Sequence, residues 1–170
     1  MKRETAADKE YWRRVDLCTK AIFKAAQAVG LNCYVTGEYQ GCEISVKTEV
    51  YAEGKVVVLM RTGYPPRLPE YVTLTVHGVI WYSVNRRVTI NGSGLGHSEK
   101  SFRPDKISVQ WLQKSILQAA QAIQTVCSAS NMEKLRKDVL AKRRQECKEL
   151  GVLARYQNTY LFIEDIDRRN

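Results

Sequence analysis

Two histidines, no C-x-x-C pair and no apolar run near the ~20 residues of a membrane span narrow what this 170-residue chain is built to do. A zinc site of the Cys/His kind would have to gather ligands from distant segments, and no spacing recommends one. The five cysteines, Cys18, Cys33, Cys42, Cys127 and Cys147, are odd in number and read as reduced, mostly buried thiols. The opening MKRETAADKEYWRR carries no apolar core, so it is not a secretory signal. These absences describe a soluble, cytoplasmic protein with no membrane association. Catalytic signatures are missing as well. No G-x-S-x-G, H-E-x-x-H or paired acidic metal motif occurs. No enzyme activity, metal or cofactor is therefore expected. Glu43 or Glu49 with Lys47, the residue types of a metal-dependent nuclease, read as a polar strand face. There is no internal repeat and no low-complexity stretch.

What remains is an ordinary globular composition, 44% hydrophobic and 26% charged, that fits a single domain over 1–170. The formal net charge is +9 and unevenly spread. Residues 1–30 carry seven basic and four acidic side chains, 31–105 eight and seven, 106–151 nine and four, and 152–170 three and three. Positive charge thus gathers on the segments read below as helical, which favours a basic face over a uniformly basic surface.

Tyr11, Val15, Cys18, Ile22, Ala25 and Val29 recur every three or four residues and predict a helix over 5–29, with Thr5 and Asp8 as a capping box and Gly30 as its stop. From 32 to 91 the period becomes two. A strand near Cys33–Tyr39 comes first, and Cys42 to Val50 alternates as a half-buried strand. A turn at 52–54 leads into a buried strand over 55–62. YPPRLP at 64–69 breaks the sheet, because proline removes donors. Residues 71–84 form a long strand in which Gly78 marks a bulge. NRR at 85–87 turns the chain into a short last strand, VTI at 88–90. Residues 91–105 read as a loop, 106–127 and 131–150 as helices, the second capped by Ser130 and Glu133, and TYLFI at 159–163 as one more strand before a frayed tail, 164–170. The class is α+β: an antiparallel sheet of about five strands with an N-terminal helix and two C-terminal helices packed on one face. The other face is polar and left to solvent or a partner.

GLGHSEKS, 94–101, misses a nucleotide-binding P-loop by one residue, since Glu99 stands where the second glycine belongs. A side chain there crowds the phosphates, its charge repels them, and Pro104 obstructs the helix that should follow. Nucleoside-triphosphate binding of the P-loop type is not expected on these grounds. A weaker anion site survives in the backbone amides of Gly92–Gly96 with Arg86, Arg87, Lys100, Arg103 and Lys106 around them. A second lies on helix 131–150, where Lys137, Arg143 and Arg144 stand among seven cations facing four acids. Glu133–Lys137 and Asp138–Lys142 are spaced to pair. Trp81 and Tyr82, on opposite faces of a strand, are stacking candidates for unpaired bases. His97 and Glu99, on a flexible loop, do not hold a general base in place, and His77, alternating with Val76, faces out of the core.

The function these features favour is non-enzymatic binding of single-stranded or structured RNA or DNA by a basic helical face and a basic Gly/Ser-rich loop. The alternative is a small adaptor or inhibitor that docks on another protein or a nucleoprotein complex, and self-association is left open.

Overall fold

A computed structural model of the chain describes residues 3–36, 41–48, 53–84 and 88–150. Helix α1, Ala6–Ala28, starts where the capping box places it. The Asp8 amide donates to Thr5 Oγ1 at 3.2 Å and the Thr5 amide donates to Asp8 Oδ2 at 2.9 Å, so two orphan donors of the first turn are satisfied. The helix buries Tyr11, Cys18, Ile22, Ala25 and Ala26, while Val15 and Val29 pack at the margin of the core.

Five strands follow: β1 Cys33–Thr36, β2 Gly41–Val46, β3 Glu53–Arg61, β4 Val72–Val84 and β5 Val88–Phe102. They form one antiparallel meander whose order in space is their order in sequence. Period-two alternation puts Cys42, Ile44 and Val46 of β2, Val56, Val58 and Met60 of β3, and Val72, Leu74, Val76 and Ile80 of β4 on one buried face. That face is covered by α1 and by α2, Val109–Val126, which adds Leu112, Ile116, Ala119 and Ile123. The two helices run in the same direction. Arg13, early in α1, pairs with Asp105 just ahead of α2, and at the other end Val29 and Leu31 share a cavity with Gln121 and Gln124.

Several expected boundaries move. The sheet does break at 64–69, and β4 is irregular on either side of Gly78, as read from the sequence. The last strand, however, is not the short VTI. Residues 91–102, expected as most of a loop, belong to β5 and pair with β4 out to Val72 opposite Phe102. β5 is an edge strand, and an edge needs few apolar residues to hold its place, which is why its polarity reads as loop. Its Gly96 answers to packing. A Cβ on Gly96 would stand 2.8 Å from Ala119 Cα and 2.9 Å from the Gln118 carbonyl oxygen, so helix and strand touch backbone to backbone. Glu53 and Gly54, expected in a turn, open β3 opposite Trp81 and Ile80. Lys106, expected to open the helix, belongs with Pro104 and Asp105 to a separate 3-10 turn, and Ser108 caps α2 by accepting from the Trp111 amide. The third helix, α3, spans Ala129–Leu150 and begins two residues early. Ser128, not Ser130, accepts from the Asn131 amide. It does not lie on the sheet with the other two. Its principal contacts are with α2, and Leu140 alone among its described side chains is buried. The turn at 85–87 and the strand expected at 159–163 lie outside the described residues, as do Thr159–Ile163 altogether.

The reassignment of 91–102 has a direct consequence. Gly94 (φ 72) has open space where a Cβ would go, whereas Gly96 (φ 60) meets the α2 backbone. Gly94→Ala is expected to cost about 1 kcal/mol from left-handed strain, and Gly96→Ala on the order of 3 kcal/mol from strain plus overlap. Urea unfolding of the two variants measures this difference; equal, small losses would restore the loop.

Candidate nucleic-acid interface

The predicted site residues do not converge. Lys100, on β5, holds its Nζ 5.5 Å above the Phe102 ring. Arg103, ahead of the 3-10 turn, is bound to Glu70 at 3.2 Å, and the Tyr71 hydroxyl and that carboxylate push its pKa up. Lys106 is exposed in the turn itself. These three lie at the start of α2. Lys137, Arg143 and Arg144 follow its end, and α2 is 18 residues, ~27 Å, long. Arg86 and Arg87 lie outside the described residues, and so do the side chains of Arg143, Trp81 and Tyr82. The glycine-rich stretch meant to wrap a phosphate is tied down instead, with Gly92 opposite Ile80, Leu95 opposite Gly78 and Gly96 against α2.

The open face of the sheet is nearly balanced in charge. Lys55 meets Glu43 at 3.1 Å, and Arg61 meets Glu99 at 3.2 Å, where Thr75 Oγ1 also donates at 3.0 Å. Thr73 and Ser101 share a hydrogen bond of 2.9 Å. Val57, Leu59 and Val79 give this face a half-buried apolar centre. His77 does face away from the core. It stacks on His97, ring centres 6.4 Å apart, and the pair sits on two strands rather than on the flexible loop expected for His97. With its cations occupied by carboxylates, this face offers a polyanion little.

Helix α3 is different. At 3.6 residues per turn, Lys134, Lys137, Arg144 and Lys148 fall within about 80° of its circumference, with Ala141 between them, and run ~21 Å along it. All five are exposed. Glu133 is shared: 3.3 Å from Arg136 and 3.8 Å from Lys137. Asp138 and Lys142, spaced to pair, do not come within ion-pair distance. Lys134 and Lys148 have no acidic partner among the described residues. A straight row of four cations over this span matches the chemistry of a phosphate backbone. Lys134 and Lys148 complete the row and were not singled out from the sequence, although the spacing 134, 137, 141, 144, 148 would have found them.

Other chemistry is sparse. Among the described residues no group of three His, Cys, Asp or Glu side chains is arranged to hold a metal ion. Glu43 is engaged by Lys55, and Glu49 lies outside the described residues. Cys18, Cys42 and Cys127 are buried and Cys33 partly so, all as free thiols; the Cys147 side chain is not described. Burial pushes Cys18 up to about 12 and raises Cys127 too, which leaves both unreactive. Among the described residues no helix is long and apolar enough to cross a membrane.

Set against known proteins, the chain matches no family model, no curated protein and no solved structure.

Burial, and then the neighbouring His97, lowers the His77 pKa below its ordinary 6.5. As pH falls through about 6.5 the unfolded chain takes up a proton that the folded one refuses, so stability falls with pH in that window. Glu10, held at about 2 by Arg13 and Arg14, contributes only in a separate window, from about 4.5 downward. Urea midpoints at about pH 7.5 and 5.5 are expected to show the loss, and His77→Gln to flatten it. An unchanged pH slope in that variant would contradict the assignment.

Proposed function

We propose that this chain is a non-enzymatic nucleic-acid-binding protein and that its contact surface is the exposed arc of α3. The observation that supports this reading most is the row Lys134, Lys137, Arg144 and Lys148, standing clear of the sheet on a helix whose described side chains bury little else than Leu140. The row has the reach of several successive phosphates and no groove shape that would read bases, so affinity comes from charge and varies little with sequence. The cations near the start of α2, Lys100, Arg103 and Lys106, are a secondary contact for a longer strand. The cytoplasm is the compartment this reading favours.

Fluorescence anisotropy with labelled single-stranded RNA at about 50 and 200 mM salt tests it. Four phosphate contacts imply a log–log salt slope of about −2.8 and a loss of about fifty-fold across that range. Replacing the four cations of the row by glutamine is expected to abolish most binding and most of the slope while leaving the fold intact. Binding that ignores salt, or survives the fourfold replacement, would overturn the proposal.

A further inference from the structure

Three exposed large apolar side chains gather at the opposite end of the molecule from α3. Tyr64 is 69% exposed, Trp12 55% and Tyr71 46%. Trp12, on α1, and Tyr64, on the 62–71 connection, both rest against the buried Tyr11 ring, with centroids 5.2 and 4.8 Å away. The frame beneath them is stitched tightly. The Arg14 guanidinium donates to the Pro69 carbonyl, to the Thr62 carbonyl at 3.5 Å and to Glu10 at 2.9 Å. Arg13 binds Glu10 and reaches Asp105 at 2.8 Å, which joins α1 to the segment before α2. Two large rings held out to water on a fixed frame form a surface that loses little freedom on binding, and such rings dominate interface energetics.

The charges around them are sorted. Asp8 is spent in the capping box, Glu10 on Arg13 and Arg14, Asp16 on Lys20, Glu70 on Arg103 and Asp105 on Arg13. Arg3 and Glu4, ahead of the helix, cancel in charge. Lys9 and Arg67 are exposed and have no acidic partner among the described residues. Lys9 stands three residues before Trp12 on the helix, and Arg67 three after Tyr64, with which it forms a β-bridge. Trp12 and Tyr64 therefore each have, three residues away, a cation with no acidic partner among the described residues. The many carboxylates interleaved here disfavour a continuous polyanion, while an apolar centre with two isolated cations at its rim fits a short peptide.

We propose that Trp12 and Tyr64, with Lys9 and Arg67, form a docking site for an acidic linear peptide that places apolar side chains on the two rings and carboxylates on the two cations. The site is separate from the α3 row and does not depend on the nucleic-acid reading.

The test uses the full chain and three labelled probes: a twelve-residue peptide of Asp, Glu, Phe and Leu, its twin with lysine for every acid, and twelve-residue oligothymidylate. The acidic peptide is expected to bind with a saturable curve below about 100 µM and its lysine twin at least tenfold more weakly. Trp12→Ala and Tyr64→Ala each weaken it about tenfold, and Trp12→Phe, which keeps a ring, restores most of that. Lys9→Glu with Arg67→Glu reverses the preference between the twins, with an unchanged circular-dichroism melting curve. The α3 fourfold glutamine variant binds the acidic peptide as the parent does. No saturable binding, equal binding of the twins, or oligothymidylate binding lost on Trp12→Ala would each overturn the proposal, the last by assigning the rings to bases.

Discussion

Helix α2 lies unusually close to the sheet, and it does so because three neighbouring strands each present a glycine beneath it. A Cβ on Gly54 of β3 or Gly78 of β4 would stand 2.5 or 2.7 Å from the Ile123 side chain, and one on Gly96 of β5 would strike the helix backbone. Ile123 is fully buried in the dimple the first two leave. Methyl groups at these positions would lift the helix, open voids around Ile116 and Leu112 and forfeit their dispersion contacts. The close seat also fixes β5. Once Gly96 is held against α2, residues 97–102 continue in register beside β4, and the chain reaches the 3-10 turn from a defined direction.

With α1 and α2 filling the inner face, α3 has no sheet left to cover. Its contacts are with α2, and its cations stay in water at one end of the molecule. Several carboxylates elsewhere on the surface are paired: Glu43 with Lys55 and Glu99 with Arg61 on the open sheet face, Glu10 with Arg13 and Arg14 on α1. Exposed pairs of this kind contribute little to stability, but they remove free charge and so decide where an anion is attracted. The asymmetry leaves a row of cations at one end and a pair of exposed aromatic rings at the other, two surfaces of different chemistry on one rigid body.

Helices and inner strands were legible because burial imposes a period on them. Tyr11 to Ala25 and Leu112 to Ile123 show the helical repeat, Cys42 to Val46 the strand repeat, and Thr5 with Asp8 marks the first helix start. β5 was not legible. An edge strand is under weak pressure to alternate, and its glycines, of which Gly96 is required by the approach of α2, imitate loop composition. The same cause hid Gly54 in a supposed turn. Ser128 lost to Ser130 as a cap because two serines two residues apart carry the same local signal, and which one receives an amide depends on where α2 ends. The candidate site was half legible. The basic character of α3 is plain in its sequence, while the separation of Lys106 from Lys137 by the length of α2, and the pairing that neutralises Arg61 and Arg103, are tertiary facts.

The central claim is that α3, with its row of exposed cations, meets the nucleic acid. Amide chemical-shift mapping of the isotope-labelled chain, titrated with a short single-stranded RNA, tests it at residue level. The account predicts perturbations concentrated at residues 133–148, weak ones near 100–106, and none around Trp12 and Tyr64. Perturbations centred on the sheet face at Val57, His77 and Glu99, or a spectrum the RNA leaves unmoved, would contradict it.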